Sequence, residues 1–217
     1  MDTLVSIASR TVLAFPIKRL LIKKITGLEN IPEKGNFILV SNHLSHVDSL
    51  MCGYLMTPRK FTFLSQTDQY SGLKKVLRNT VYCWGGVIPF NRKDSLSKKQ
   101  AIATGITKLR EGYRLVIYPE GGRSYDGIMR EFKPGVAVIH LESGAPVLPI
   151  ALKGTREILP PHGRFKITKS AEITIGRILD FSKERKQAVK LDKKSEEYRK
   201  ICDNIAKKIE NEVRGLL

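Results

Sequence analysis

The segment His43-Leu44-Ser45-His46-Val47-Asp48 places an imidazole and a carboxylate five residues apart, directly after the apolar run Phe37-Ile38-Leu39-Val40. A histidine whose ring is held by a nearby carboxylate can accept a proton at neutral pH. On one continuous helix, residues five apart do not share a face, so His43 and Asp48 meet only if the chain turns between them. A strand over 36–41 followed by a helix over 45–56 supplies that turn, because a short apolar run reads as a buried strand and Met51 to Met56 resumes an apolar pattern. His43 then stands at the carboxyl end of a strand, where α/β folds bind ligands. The simpler alternative makes Ser45 a helix cap and Asp48 the acid of a Ser-x-x-acid box, with His43 a bystander.

Three further stretches repeat this strand-then-polar design. Tyr118-Pro119-Glu120-Gly121-Gly122-Arg123-Ser124 follows the apolar run Arg114-Leu115-Val116-Ile117. Its paired glycines allow close backbone approach to a ligand, and the planar fork of Arg123 suits phosphate or carboxylate. An ordinary glycine turn with a solvated arginine is the competing reading. Gly85-Gly86-Val87-Ile88-Pro89-Phe90-Asn91-Arg92 ends in a second arginine. Ala145 to Leu152 is an apolar strand in which Pro149 lacks a ladder donor. Of the other histidines, His46 is expected in local packing or substrate contact and His140 in the core, while His162 has no assigned role. Cys52, Cys83 and Cys202 lie far apart, so neither a metal site nor a disulfide framework is expected. Gly122-Arg123-Ser124-Tyr125-Asp126 lacks the final glycine of a nucleophile elbow.

The four blocks taken in order, His-x-x-x-x-Asp, Gly-x-Ile-x-x-x-Arg, Pro-Glu-Gly-x-Arg-Ser and Val-x-Pro-Ile, resemble the glycerolipid acyltransferases typified by bacterial 1-acylglycerol-3-phosphate acyltransferases. The resemblance covers roughly residues 28 to 155. It implies an α/β fold, His43 as general base and Asp48 as the group orienting it. It further implies that Arg92 and Arg123 hold the acceptor's glycerol phosphate, with Glu120, Gly121 and Ser124 in the same substrate-binding block. The implied reaction moves a fatty acyl group from acyl-coenzyme A or acyl carrier protein, as co-substrate, to the free hydroxyl of a lysophospholipid. The foremost acceptor is 1-acyl-sn-glycerol-3-phosphate, giving phosphatidic acid, with no further cofactor. Backbone amides at the helix start after His43 are candidate donors to the tetrahedral oxyanion. Two departures stand out: Asn91 replaces the acidic residue that often precedes the arginine, and Ser65-Gln66 stands where a lysine often follows the second strand.

Positioning these groups requires alternating strands and helices. Strands are expected at 36–41, 60–65, 86–90, 114–118, 146–152 and 171–177, with helices near 45–56, 69–80, 95–112, 133–144 and 194–214. That alternation predicts a mixed, mostly parallel sheet with helices on both faces, and residues 164–177 suggest a late hairpin. Phe181 to Ser195 is lysine-rich and is expected as a loop. Residues 26–217 make one acyltransferase domain by the usual size prior.

Residues 1–25 precede it as an amphipathic helical segment in which Arg10, Lys18, Arg19, Lys23 and Lys24 interrupt the apolar residues. Charge recurs there too often for a spanning helix of about 20 apolar residues. The charges also accumulate after the apolar core, unlike a secretory signal. A basic amphipathic segment suits a bilayer interface, and packing on the domain's own core is the alternative. The formal charge of +17, from 38 basic and 21 acidic residues, calls for an anionic partner. Anionic membrane head groups fit better than nucleic acid, for which no recognised motif or aromatic platform is present. A peripheral or monotopic place on the cytoplasmic face of a membrane is therefore expected. The rival functions are a thioesterase or lipid hydrolase, a transacylase remodelling another lysolipid, and a non-enzymatic basic binding module.

Overall fold

The computed structural model describes residue 12 and residues 14–66 and 86–217. Helix α1 (residues 14–20) leads into β1 (Ile22–Thr26), and one 3₁₀ turn (Leu28–Asn30) precedes β2 (Ile38–Ser41). The chain continues through α2 (Asp48–Met56), β3 (Phe61–Gln66), β4 (Val87–Phe90), α3 (Ser95–Arg110) and β5 (Arg114–Ile117). It ends with α4 (Gly135–Ser143), β6 (Val147–Lys153), the short α5 (Thr155–Ile158), β7 (Ala171–Ile175), α6 (Ser182–Ala188) and α7 (Glu196–Leu216).

The seven strands form one sheet in the order β1-β7-β6-β2-β5-β3-β4. Every neighbouring pair is parallel except β6 and β7, which are antiparallel. Strand side chains alternate between faces, and here both faces are apolar. Ile38 and Val40 of β2 pack with Leu115, Ile139 and Ile205 on one side, while Phe37 and Leu39 pack with Met51, Leu148 and Ile17 on the other. Helices α3, α4, α6 and α7 cover the first face, and α1 and α2 the second. Burial on both faces explains why β2, β5 and β6 read as unbroken apolar runs.

Pro149 sits in β6 opposite Val40. By strand parity its missing donor points to the side on which Val147 N–H bonds Leu179 O at 3.0 Å. Gly176 N–H, just past β7, donates to Pro149 O at 2.9 Å, so the proline still accepts on that side and only the return bond is missing.

The β6–β7 reversal has a consequence at the edge where β2, β3, β4 and β5 end. Lys153, at the end of β6, pairs with Glu172 at the start of β7, and Ala171 pairs with Ile22 at the start of β1. The end of α1 and the loop entering β7 therefore reach the same edge of the sheet as His43.

Some expectations change. Residues 22–25, expected within the amino-terminal helical segment, belong to β1, because Ile22 and Leu21 are buried against the sheet. The hairpin over 164–177 is instead the single strand β7, bonded to β6 on one side and β1 on the other. The expected loop after Phe181 contains α6, since Phe181 and Ala188 are anchored in the core and tertiary packing overrides a polar local sequence. The helix expected at 69–80 lies outside the described residues. Among the described residues, no helix is long and apolar enough to cross a membrane.

Candidate active site

After β2 the chain folds back over the start of α2, and Asp48 is the reason. Its Oδ2 accepts His43 Nδ1–H at 2.8 Å and the backbone N–H groups of Leu44 and Ser45 at 2.7 Å each. Three donors around one oxygen, at the amino terminus of a helix, suit a carboxylate. An ionised carboxylate only accepts, so His43 carries its proton on Nδ1 and presents Nε2 as the base. The box reading is also partly realised, through Ser45 N–H on Asp48. Ser45 Oγ, however, donates to Leu159 O and accepts Val47 N–H at 3.2 Å, so it ties this turn to the loop after α5. The amides of Leu44, Ser45 and Val47 are thus engaged within the turn.

The loop after β5 grips His43 on both sides. Glu120 Oε1 accepts His43 N–H at 2.7 Å, Ser124 N–H donates to His43 O at 2.8 Å, and the Tyr118 ring stacks on the imidazole with centroids 4.0 Å apart and planes 13° from parallel. Glu120 Oε2 accepts Arg130 N–H at 2.9 Å. Burial pushes the Glu120 carboxyl up to about 7, against the pull of those two amides. Ser124 Oγ donates to Asp126 Oδ1 at 2.7 Å and accepts Gly127 N–H at 2.8 Å, closing the next turn. Gly121 takes φ +72°, and a Cβ there would meet Lys133 Nζ at 2.7 Å. A Cβ on Gly122 would stand 3.1 Å from Arg92 Nη1, so glycine lets that guanidinium lie across the loop.

His43 is nearly buried, its side chain 12% exposed. It opens into a cleft whose walls include Leu64, Phe90, Tyr118, Arg92, Arg123 and Arg130. Burial holds His43 below its usual pKa of 6.5; the Asp48 bond and charge oppose this, and the Arg123 and Arg92 charges add to it. The ring is therefore neutral, and able to accept a proton, at neutral pH. His46 Nε2 lies 3.3 Å from Pro161 O. Burial, with Arg123, lowers its pKa too. His140 is in the core, its Nδ1–H donated to Ala145 O at 2.8 Å.

The family model described as Acyltransferase matches residues 22–153. The chain belongs to the acyltransferase family. A 1-acyl-sn-glycerol-3-phosphate acyltransferase of Borreliella burgdorferi is 33% identical over 159 residues, covering 73% of this chain and 62% of that protein. A chloroplastic 1-acyl-sn-glycerol-3-phosphate acyltransferase of Brassica napus is 33% identical over 143 residues, covering 63% of this chain and 38% of the relative. The chain thus spans less than two thirds of either. The crystal structure of the 1-acyl-sn-glycerophosphate acyltransferase PlsC of Thermotoga maritima superposes with a TM-score of 0.67 at 24% identity, over 100% of this chain and 82% of that one, a likeness of fold.

In this member of the family the structure brings His43, Arg92, Gly121 and Arg123 around one cleft, with Asp48 and Glu120 buried behind them on His43 and Ser124 buried in the next turn. Sequence reasoning missed three residues. Arg130 adds a third guanidinium, lying over the Tyr125 ring at 5.6 Å. Tyr118 stacks on the base. Asn42 joins β2 to β6 by accepting Leu152 N–H at 2.8 Å and donating to Leu152 O at 3.0 Å. The only local signal was their position beside or within the blocks, and the partners of Tyr118 and Asn42, His43 and Leu152, lie far away in sequence.

Proposed function

We propose that this chain transfers a fatty acyl group from an acyl thioester to the free hydroxyl of a lysophospholipid, foremost 1-acyl-sn-glycerol-3-phosphate. The observation carrying this reading is the His43–Asp48 pair, with its free Nε2 opening into a cleft shared by Arg92, Arg123 and Arg130. Nε2 takes the proton of the acceptor hydroxyl, whose oxygen attacks the thioester carbonyl. Asp48 holds the ring and stabilises the imidazolium. Collapse of the tetrahedral intermediate expels the thiolate, which receives the proton from Nε2, so no acyl-enzyme forms. The cleft guanidiniums supply positive charge facing both the acceptor phosphate and the developing oxyanion. Glu120 and Ser124 act as positioning residues, because their polar atoms hold His43 and the following turn.

Three arginines at the mouth favour a phosphate-bearing acceptor over water, which sets this reading apart from a thioesterase. We place the enzyme on the cytoplasmic face of a membrane as a peripheral protein, reading the exposed Phe15 and Leu20 beside Lys18 and Arg19 as surface contacts. The deciding experiment incubates the purified protein with acyl-coenzyme A or acyl carrier protein and a panel of lysolipids, with products identified by mass. Phosphatidic acid from 1-acyl-sn-glycerol-3-phosphate is expected. A general base supplies about 10²–10⁴-fold, so His43→Ala should lose at least the lower figure. Acyl release at equal rates with and without lysolipid would establish a hydrolase instead.

A further inference from the structure

Two loops at the cleft mouth, 124–130 and 159–170, expose large apolar side chains that the chemistry described above does not use. Tyr125 is 53% exposed, Ile128 66%, Phe165 53% and Ile167 68%. Single exposed apolar residues are ordinary, but these lie on loops locked to one another. His162 stacks on Tyr125 with centroids 5.0 Å apart, and Arg156 Nη2 donates to Tyr125 O. Tyr125 itself lines the cleft. In the second loop basic residues are interleaved with them: Arg164-Phe165-Lys166-Ile167 alternates the two kinds, and no acidic residue occurs from Ile158 to Ser170, whereas the first loop carries Asp126 between Tyr125 and Ile128. Lys169 closes a groove with Phe15, Lys18 and Arg19 of α1, so this rim is continuous with the basic amino-terminal surface. The sheet places both at the edge where His43 sits, because the β6–β7 reversal starts β7 there and β1 beside it.

We infer that the rim formed by Tyr125, Ile128, Phe165 and Ile167 is a docking surface for an anionic lipid bilayer, which seats the cleft mouth at the head-group level. The inference rests on the proposed lysophospholipid activity, and Arg156 and residues 159–170 lie outside the 22–153 match to the family. Apolar side chains set among basic residues, as Phe165 and Ile167 are beside Arg164 and Lys166, match a bilayer, where the charges meet head groups and the apolar ends reach the acyl boundary. An acidic carrier protein would satisfy the charges but would have to supply pockets for four separate apolar projections.

The test compares the full chain with the double variant Phe165→Ser, Ile167→Ser and with Lys166→Glu. Co-sedimentation uses vesicles of phosphatidylcholine with and without phosphatidylglycerol. Transfer is measured to acceptor embedded in vesicles and to short-chain acceptor dispersed as monomers. The double variant should bind anionic vesicles about tenfold more weakly and lose transfer to embedded acceptor in proportion, with monomeric acceptor still turned over within about twofold. Lys166→Glu should weaken binding to the anionic vesicles alone. Unchanged sedimentation of both variants would overturn the inference. So would unchanged vesicle binding with a loss confined to acyl carrier protein as donor, which would give the surface to that protein. If no form acylates any lysolipid, the functional reading fails, while sedimentation still decides the docking surface by itself.

Discussion

His43 is held by bonds to its ring, its N–H and its carbonyl, and its electrostatics follow from what surrounds it. Burial and the two arginines keep its pKa below 6.5 despite Asp48. Because transfer needs the neutral ring, kcat/KM should rise with pH along a limb below 6.5 and stay flat through neutrality. Removing a positive charge favours the imidazolium, so Arg123→Ala should move that limb to higher pH while Arg123→Lys leaves it in place. A pH–rate profile in which Arg123→Ala leaves the limb unmoved would show that the two charges do not communicate. The parallel Tyr118 ring makes a second, separable claim. Tyr118→Phe keeps the stack and loses the hydroxyl's bonds to Cys52 Sγ and the Ser49 side chain, so it should retain kcat within about threefold and lose about 1–2 kcal/mol of stability. Tyr118→Leu should lose kcat by about tenfold with little change in either KM, a misoriented base being a defect of the chemical step. Steady-state kinetics and thermal unfolding of the pair separate positioning from packing.

At the level of elements, α7 is linked to the base although no residue of it lines the cleft. Glu210 Oε2 accepts Phe132 N–H at 3.1 Å, and Arg214 Nη2 lies 3.5 Å from Met129 O. These fix residues 129–132, from which Arg130 N–H reaches Glu120, whose other oxygen holds His43. Burial would raise the Glu210 pKa, but Lys207, the Phe132 amide and Arg214 outweigh it and hold the carboxyl below its usual range. Glu210→Ala strands a buried amide, which costs about 1–3 kcal/mol. It should also lower kcat from a distance, whereas Glu210→Gln keeps an acceptor and should recover most of both. Thermal unfolding and kcat measured on the two variants test this; equal kcat in Glu210→Ala and wild type would break the chain of contacts.

For the molecule as a whole, the formal charge of +17 and the sheet order act together. Arg92, Arg123 and Arg130 line the cleft and Lys18, Arg19 and Lys169 the groove at the same edge, so membrane binding there should weaken as salt shortens the screening length from about 10 Å at 0.1 M to about 3 Å at 1 M. Removing residues 1–25 would take away most of β1 and bare Ile173 and Ala171, so it should destabilise the domain and not merely free it from a membrane. Phe15→Ser with Leu20→Ser spares the buried Ile17 and Leu21. That pair should keep the unfolding temperature and lower vesicle co-sedimentation at both low and high salt. Sedimentation equal to wild type would mean that α1 serves only as packing.

The sequence by itself determined what depends on local pattern. Apolar runs marked strands such as β2, β5 and β6, alternation marked β7, and the turn demanded between His43 and Asp48 followed from helical geometry alone. The four ordered blocks identified the family and two of the three cleft arginines, Arg92 and Arg123, while Arg130 lies outside them. Only the tertiary structure decided how these pieces are held. Glu120 reaches His43 across 77 positions and Asn42 reaches Leu152 across 110, and such bonds leave no periodic trace. The strand at Ile22–Thr26 was hidden because its burial pattern is set by β7, its partner on the other side of the chain. The same holds for the direction of β7. Neither parallel nor antiparallel pairing is written in five residues, yet that choice brings the amino-terminal helix to the catalytic edge, because strand direction is settled by which neighbours bury both faces of the sheet.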